Sequence, residues 1–508
     1  MHQIQYVKKI AMLIACCMMS AGFVYAASNI PKERTIEMFG MQFVLKNTFT
    51  PKYFPKTRNE LVTILNQKVN PGEIDVSKVD DMSFLFAKHP PIKPPFKEDD
   101  NMKSYPLEIV FDKKSKKNIV TFFFGGYYSD DFDENSPTIT NYLNNAYEHI
   151  TSYGLDFSDM YYEIMDLENK LASYTLCKND HARFVAKIDK QISWLTHLKH
   201  PNYERAKELE KLKSCNFIKQ KQAQAKLATL KKELYPVLDS ALQQIKGFAF
   251  WDTSNVKNMR GLFFEGVLDP IFVVVMLSSW DTSNVRDMSY MFARILDPAL
   301  WENLPIAHLN TSNVKDMSYM FANSNVSTSD TIALEALDVG KVENMRGMFV
   351  NVTWFNRPLG AWNTSNVRDM SYMFAGVREF NQNIESWDTS NVRDMSYMFY
   401  SCWPEGSYYQ FNSPLNGWNV GKVKNMREMF ACSNFNQPLD KWNVGNVTDM
   451  EYMFYESLFN QNLDTWKVSI PKEKLCTMFD KVGIFYDYPS DYPYPKWFDE
   501  NLCRSLTN

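Results

Sequence analysis

The chain has 508 residues, 45% hydrophobic and 22% charged, with a formal net charge of −4. This is foldable composition, which excludes a disordered tail, and its charge balance excludes a global pull towards nucleic acid. No Cys-x-x-Cys occurs among the eight cysteines, so a zinc or redox motif of that spacing is excluded, and six cysteines beyond residue 26 are too few for a disulfide scaffold.

Lys8 and Lys9 precede an apolar run over 10–24 that ends at Val24-Tyr25-Ala26. A basic start, an apolar stretch and a small residue at the cleavage position predict a signal peptide over 1–26. The chain is therefore expected to be exported, to the cell surface, the medium or the periplasm. Leu13-Ile14-Ala15-Cys16 also resembles a lipobox that would anchor the chain to a membrane through a lipid on Cys16. The apolar run continues well past Cys16, which favours simple cleavage. No later stretch reaches the ~18 apolar residues of a membrane span; the longest lies at 271–277.

Residues 28–88 read as an N-terminal cap. Thr57 and Glu60 form a capping box that opens a short helix, and DVSKVDDMSFLF follows at 75–86 as a detached copy of a sentence repeated later. Residues 89–247 read as an insertion. A Pro-rich HPPIKPP leads into a hairpin of LEIVFD and NIVTFFF around KKSKK. Leu143, Ala146, Ile150, Tyr153, Phe157, Met160, Ile164, Leu167, Leu171 and Tyr174 then alternate steps of three and four, a coiled-coil seam. Helical register continues over 184–198 and 209–242, with breaks at Pro201 and Pro236. The expected form is a mainly helical hairpin or bundle, whose seam serves internal packing rather than a partner.

Residues 248–480 are repetitive. NTSNVRDMSYMF at 363–374 returns as DTSNVRDMSYMF at 388–399. Phe263, Phe292, Phe321, Phe349, Phe374, Phe399, Phe430, Phe454 and Phe479 close nine such units, spaced 24–31 residues apart. Periods of this length predict stacked units sharing one core, because the few apolar side chains of one unit cannot offset the entropy of ordering it. Asp369 before Met370, Met373 and Phe374 reads as an N-cap on one helical turn. Phe380, Ile384 and Trp387 would return in a short strand. Trp251, Trp280, Trp362, Trp387, Trp418, Trp442 and Trp466 should form a ladder, with Leu309 and Leu337 in the two remaining units. Units one, four and seven carry Asn-Met-Arg where the others mostly carry Asp-Met-Ser-Tyr, the mark of a duplicated block of three. Residues 481–508 are a Tyr/Pro-rich cap that Cys476 and Cys503 can tie down, while Cys402 and Cys432 are expected to stay free.

The repeated sentence, followed by FNRPLGAW (355–362), FNSPLNGW (411–418) and FNQPLDKW (435–442), resembles that of BspA-like leucine-rich-repeat bacterial surface proteins, a module also found in mycoplasma surface lipoproteins. The resemblance implies an α/β repeat solenoid, an LRR-like right-handed stack, used at the cell surface for adhesion or partner binding. It brings no catalytic residues. The first three units depart from it, and the insertion at 89–247 lies outside it.

The position after the repeat Val is mostly basic: Lys257, Arg286, Lys315, Arg368, Arg393 and Lys424, with Glu343 and Thr448 as exceptions. Stacked about 4.8 Å apart, these form a charged stripe, and Tyr290, Tyr319, Tyr372 and Tyr397 recur alongside. Together they are the candidate ligand-binding face, for an acidic ligand or a glycan; a solvated stripe beside rings that cover core edges is the plainer alternative. The Met pairs read as core rather than as a metal site. His181, His197 and His200 lack a carboxylate or Cys at ligand spacing. No GxSxG, HExxH, P-loop or Rossmann pattern occurs, so neither catalysis nor a cofactor or metal is expected. The function read from the sequence is binding of an extracellular or host protein or glycan, not nucleic acid. The alternative is an envelope scaffold that self-associates through its repeats or helical arm.

Overall fold

The computed structural model describes residues 31–38, 41–67, 69–86, 107–112, 117–122, 167, 171, 220–264, 270–295, 301, 304–326, 334–402, 410–480, 482, 494–499, 502–503 and 505. The expected signal peptide, Cys16, the three histidines and, apart from Leu167 and Leu171, the expected heptad seam lie outside them. In chain order come the hairpin β1 (Glu33–Met38) and β2 (Met41–Lys46), helix α1 (Arg58–Asn66), the hairpin β3 (Leu107–Asp112) and β4 (Lys117–Phe122), then α2 (Gln220–Ala249), α3 (Pro270–Ser279) and α4 (Lys472–Leu475). Thr57 caps α1 by accepting the Glu60 N–H, and the Glu60 carboxylate accepts from the Lys56 N–H at 2.7 Å.

Within the repeats, the Asp or Asn ahead of Met-x-x-Met-Phe does not open a helical turn. It is the single bridging residue of a parallel ladder that runs Asp81, Asn258, Asp287, Asp316, Asn344, Asp369, Asp394, Asn425, Asp449. A helix needs consecutive N–H groups to turn back on their own carbonyls. Here every second one goes to the next unit: Met370 to Asp394 O (3.0 Å), Tyr372 to Ser396 O (2.9 Å) and Phe374 to Met398 O (3.0 Å). The others close three-residue turns, such as Met373 to Met370 O at 3.2 Å. Tyr372 sits at φ +60°, a left-handed residue that a right-handed helix cannot contain. Asp369 Oδ1 accepts from both the N–H and Oγ of Ser371, at 2.8 and 2.6 Å, so the side chain expected to cap a helix instead pins a turn. Residues 380–387, expected to be a short strand, are turn and extended chain without a strand partner.

Stacking these turns in register buries identical side chains on one another. An unbroken Phe column runs from Phe86 through Phe263 and Phe374 to Phe479, with ring centroids 5.6–5.8 Å apart at every step. A second column, Phe355, Phe380, Phe411, Phe435 and Phe459, packs beside it. Trp362, Trp387 and Trp418 stack 6.3 Å apart. Each indole N–H reaches a carbonyl of a preceding unit, as Trp387 does to Leu359 O at 2.9 Å, which lets a polar ring lie in the core without an orphaned donor. The detached copy is the first layer of this stack: Met82, Phe84 and Phe86 donate to Asn258, Arg260 and Leu262.

Near that end, α3 is apolar all round, and Phe272 through Leu277 are at most 2% exposed. An all-apolar helix must be covered on every side, and α2 and β1 pack against it. That helix stands where the later units carry Phe-Asn-x-Pro-Leu. Helix α2 continues through Pro236, contrary to the expected break. Losing one N–H and crowding one carbonyl costs about 3 kcal/mol, and burial of Leu234, Leu238, Leu242, Ile245 and Phe248 along one face offsets it. Gly247 lets α2 approach the Pro71–Glu73 turn closely, since a Cβ there would lie 2.3 Å from the Gly72 nitrogen.

At the other end, Trp497 stacks on Trp466 at 6.4 Å, and Phe498 and Tyr494 meet Phe479 edge-on. Cys476 and Cys503 form a disulfide there. Cys402 and Cys432, expected to be free, also form one. Their unequal offsets after Phe399 and Phe430 obscured this, but in-register units bring the two Cα atoms to 4.8 Å.

Candidate functional site: an exposed charged column and an inner arginine–tyrosine stack

The residue before each bridging Asp or Asn uses its own backbone as the other rung of the ladder. Arg393 N–H donates to Arg368 O and Lys424 N–H to Arg393 O, both at 2.8 Å. The side chains point outward, and Lys257, Arg286, Lys315, Arg368, Arg393 and Lys424 are all exposed. Lys257 lies 3.7 Å from Asp80. Lys315 and Arg368 both reach Glu343, at 2.8 and 3.0 Å. The Lys315 hydrogen bond, with Arg368 adding to it, holds the Glu343 carboxyl below the usual range. Arg286, Arg393 and Lys424 make no ion pair among the described residues.

The tyrosines are not part of that face. Tyr319, Tyr372 and Tyr397 are only 4–5% exposed. They stack on one another, Tyr290 on Tyr319 at 4.9 Å and Tyr372 on Tyr397 at 4.5 Å. With Ala322, Val350 and Ala375 they form a second small core, separate from the Phe columns. Burial pushes the phenols of Tyr290 and Tyr319 above their ordinary value, so they remain neutral. The expected basic-aromatic face therefore separates into an outer column of cations and an inner column of rings.

The Asn-Met-Arg units explain how the inner column is held. Arg346 stands where neighbouring units have Ser. Its guanidinium lies 4.8 Å over the Tyr372 ring, while Nε donates to the Tyr319 hydroxyl at 2.9 Å and Nη1 to Ser371 Oγ at 2.8 Å. Arg427 does the same between Tyr397 and Tyr452, and Arg260 lies 5.2 Å over Tyr290. Asn344 and Asn425 donate to Asp316 and Asp394 across the ladder, so a neutral donor interrupts the carboxylate column every third unit. In those units the Tyr position becomes Gly261, Gly347 or Glu428, all at positive φ. The preceding ring leaves no room at Gly347, where a Cβ would lie 2.3 Å from the Tyr319 ring. Gly347→Ala combines that overlap with a left-handed backbone, and a loss of about 2 kcal/mol is expected in urea unfolding. A change under about 0.5 kcal/mol would show that the ring moves aside freely.

Sequence reading saw the triplet as duplication alone and missed Arg260, Arg346, Arg427 and Glu428 as its physical content. The available signal was the paired exchange, Ser to Arg together with Tyr to Gly.

A family model described as "Mycoplasma protein of unknown function, DUF285" matches residues 232–333, 325–404 and 406–492, just over half of the chain. No curated protein and no solved structure matches it. Each of the three matched segments holds three Met-Phe units, the first of them an Asn-Met-Arg unit. The module that the family model detects is thus the block that one half-buried arginine organises, and the chain belongs to the DUF285 family of Mycoplasma proteins, with three tandem copies over residues 232–492.

Proposed function

We propose that this is an exported repeat protein that binds another macromolecule at the cell surface, a protein or a glycan, in adhesion or a related contact. In this reading the stacked units follow the course of an LRR-like right-handed solenoid, and the protein carries no catalytic centre, cofactor or metal. The observation that carries the reading is the outward column. Its structural work is done by backbone atoms, and Glu343 and Thr448 occupy the same position, so packing does not demand the basic side chains at Arg286, Arg368, Arg393 and Lys424. Export is supported by the disulfides Cys402–Cys432 and Cys476–Cys503, which persist in oxidising compartments.

A second reading is an envelope scaffold that self-associates. It is favoured by Phe54, 61% exposed at the first end of the stack, beside a groove of about 510 Å³ between residues 52–55 and α1. One experiment separates the two: binding of the mature chain to cells and matrix proteins, run beside sedimentation over a concentration series. Saturable binding by a monomer is the expected result. Concentration-dependent assembly without binding would replace the first reading by the second.

A further inference from the structure

The outward column is not uniform along the stack. Up to Glu343 it is interrupted by its own acids, Asp80 beside Lys257 and Glu343 beside Lys315. Beyond Glu343 three consecutive units each present a cation, Arg368, Arg393 and Lys424, and among the described residues only Arg368 has an ion-pair partner. Lys422 stands in the turn that the Val423 N–H closes on Val420 O at 3.0 Å, two residues before Lys424; it adds a fourth exposed cation and donates to Asn391 Oδ1 at 2.7 Å. Asp388 lies near Lys422, but its carboxylate is engaged by the Ser390 N–H at 2.9 Å.

We propose that Arg368, Arg393, Lys424 and Lys422 form a docking track for a linear acidic polysaccharide, carboxylated or sulfated, laid along the stack axis. The proposal rests on the binding reading above and names its ligand class. The backbone ladder fixes one cation per unit at a regular rise of about 4.8 Å, so an extended polyanion meets a row of charges already in place, with little ordering left to do. A single-stranded nucleic acid is also a linear polyanion, but its binders supply aromatic rings on which bases stack. Tyr372, Tyr397 and Trp418, the rings nearest this track in sequence, are stacked inside and at most 5% exposed. A ligand recognised by charge and hydrogen bonds alone fits this face better.

The test is calorimetric titration of the full mature chain with sulfated and uronate oligosaccharides of defined length, beside single-stranded oligonucleotides of equal charge. Affinity is expected to rise from two sugar units to those spanning the track, to fall with added salt, and to exceed that for the oligonucleotides. The double variant Arg393→Glu/Lys424→Glu is expected to weaken binding about tenfold or more, whereas Lys46→Glu, on β2 outside the repeats, should change it by less than about twofold. Equal binding by the double variant, no dependence on length, or tighter binding of the oligonucleotides would overturn the proposal. Cell attachment by the same double variant separates this from the broader reading. Attachment lost in the variant, with every oligosaccharide ignored by the native chain, rejects the polysaccharide alone; attachment unchanged in the variant rejects the track; no attachment by the native chain rejects the broader reading.

Discussion

Phe374→Ala is expected to lower the unfolding free energy by about 3–5 kcal/mol, the range for a large aromatic truncated in a closed core. The ring is 2% exposed and meets four others: Phe349 and Phe399 at 5.8 Å, Phe380 at 4.1 Å and Trp387 at 6.2 Å. The hole would therefore be lined by rings that are themselves held in columns and by the backbone ladder, leaving little freedom to collapse inward. Position in the array adds a second effect. A stacked array is held by nearest-neighbour interfaces, so weakening unit five affects its contacts with units four and six together. Urea unfolding followed by tryptophan fluorescence and by far-ultraviolet circular dichroism reads both effects. The midpoint should fall, and the two signals should separate if the halves of the stack come apart independently. A loss below about 1 kcal/mol would mean that the column is loosely packed and that its rings do not carry the stack.

The repeat spacing, the apolar columns and the tryptophan ladder were legible in the sequence because one physical demand repeats in every unit: each layer must match the next. The local shape was not. Met370, Met373 and Phe374 have helical spacing, yet the same spacing arises from turns that give alternate N–H groups to the next unit. No residue type marks the left-handed φ at Tyr372; only the exchange with Gly at 261 and 347 hints at it. Tyrosine suits both a wet face and a buried stack, so its placement depended on Arg346 and Arg427, whose partners lie in adjacent units. Pro236 misled in the other direction, because the burial that offsets its cost comes from segments far away in sequence. Of the candidate site, the cations were legible as outward residues; the tyrosines follow the plainer of the two readings, rings that cover core edges.

Glu428 carries the second large effect, one that depends on pH. It occupies the position of Gly261 and Gly347 in the third block, but as a carboxyl only 7% exposed. It accepts the Tyr397 hydroxyl at 3.1 Å, lies 3.5 Å from the Arg427 guanidinium, and faces Asp449 and Glu451 of the next unit, both also paired with Arg427. Burial, reinforced by those two carboxylates, outweighs the arginine and the phenol and pushes the Glu428 carboxyl up to about 7. A carboxyl raised on folding favours the folded state while protonated. Its contribution is complete below the ordinary value near 4.5 and is lost as pH rises through 7. Between pH 4.5 and 8 the native protein should lose on the order of 3 kcal/mol from this group. Glu428→Gln keeps the acceptor for Tyr397 and removes the titration, so its stability should exceed that of the native chain at pH 8 and approach it at pH 5. His308, whose pKa burial lowers, stabilises with the opposite sign as pH rises, but equally in both proteins, so the difference between them isolates Glu428. Urea midpoints of the two chains across this range decide the matter. A difference that stays constant from pH 5 to pH 8 would mean that Arg427 keeps Glu428 ionised throughout, and that the third block holds a permanent ion pair where the first two hold glycine.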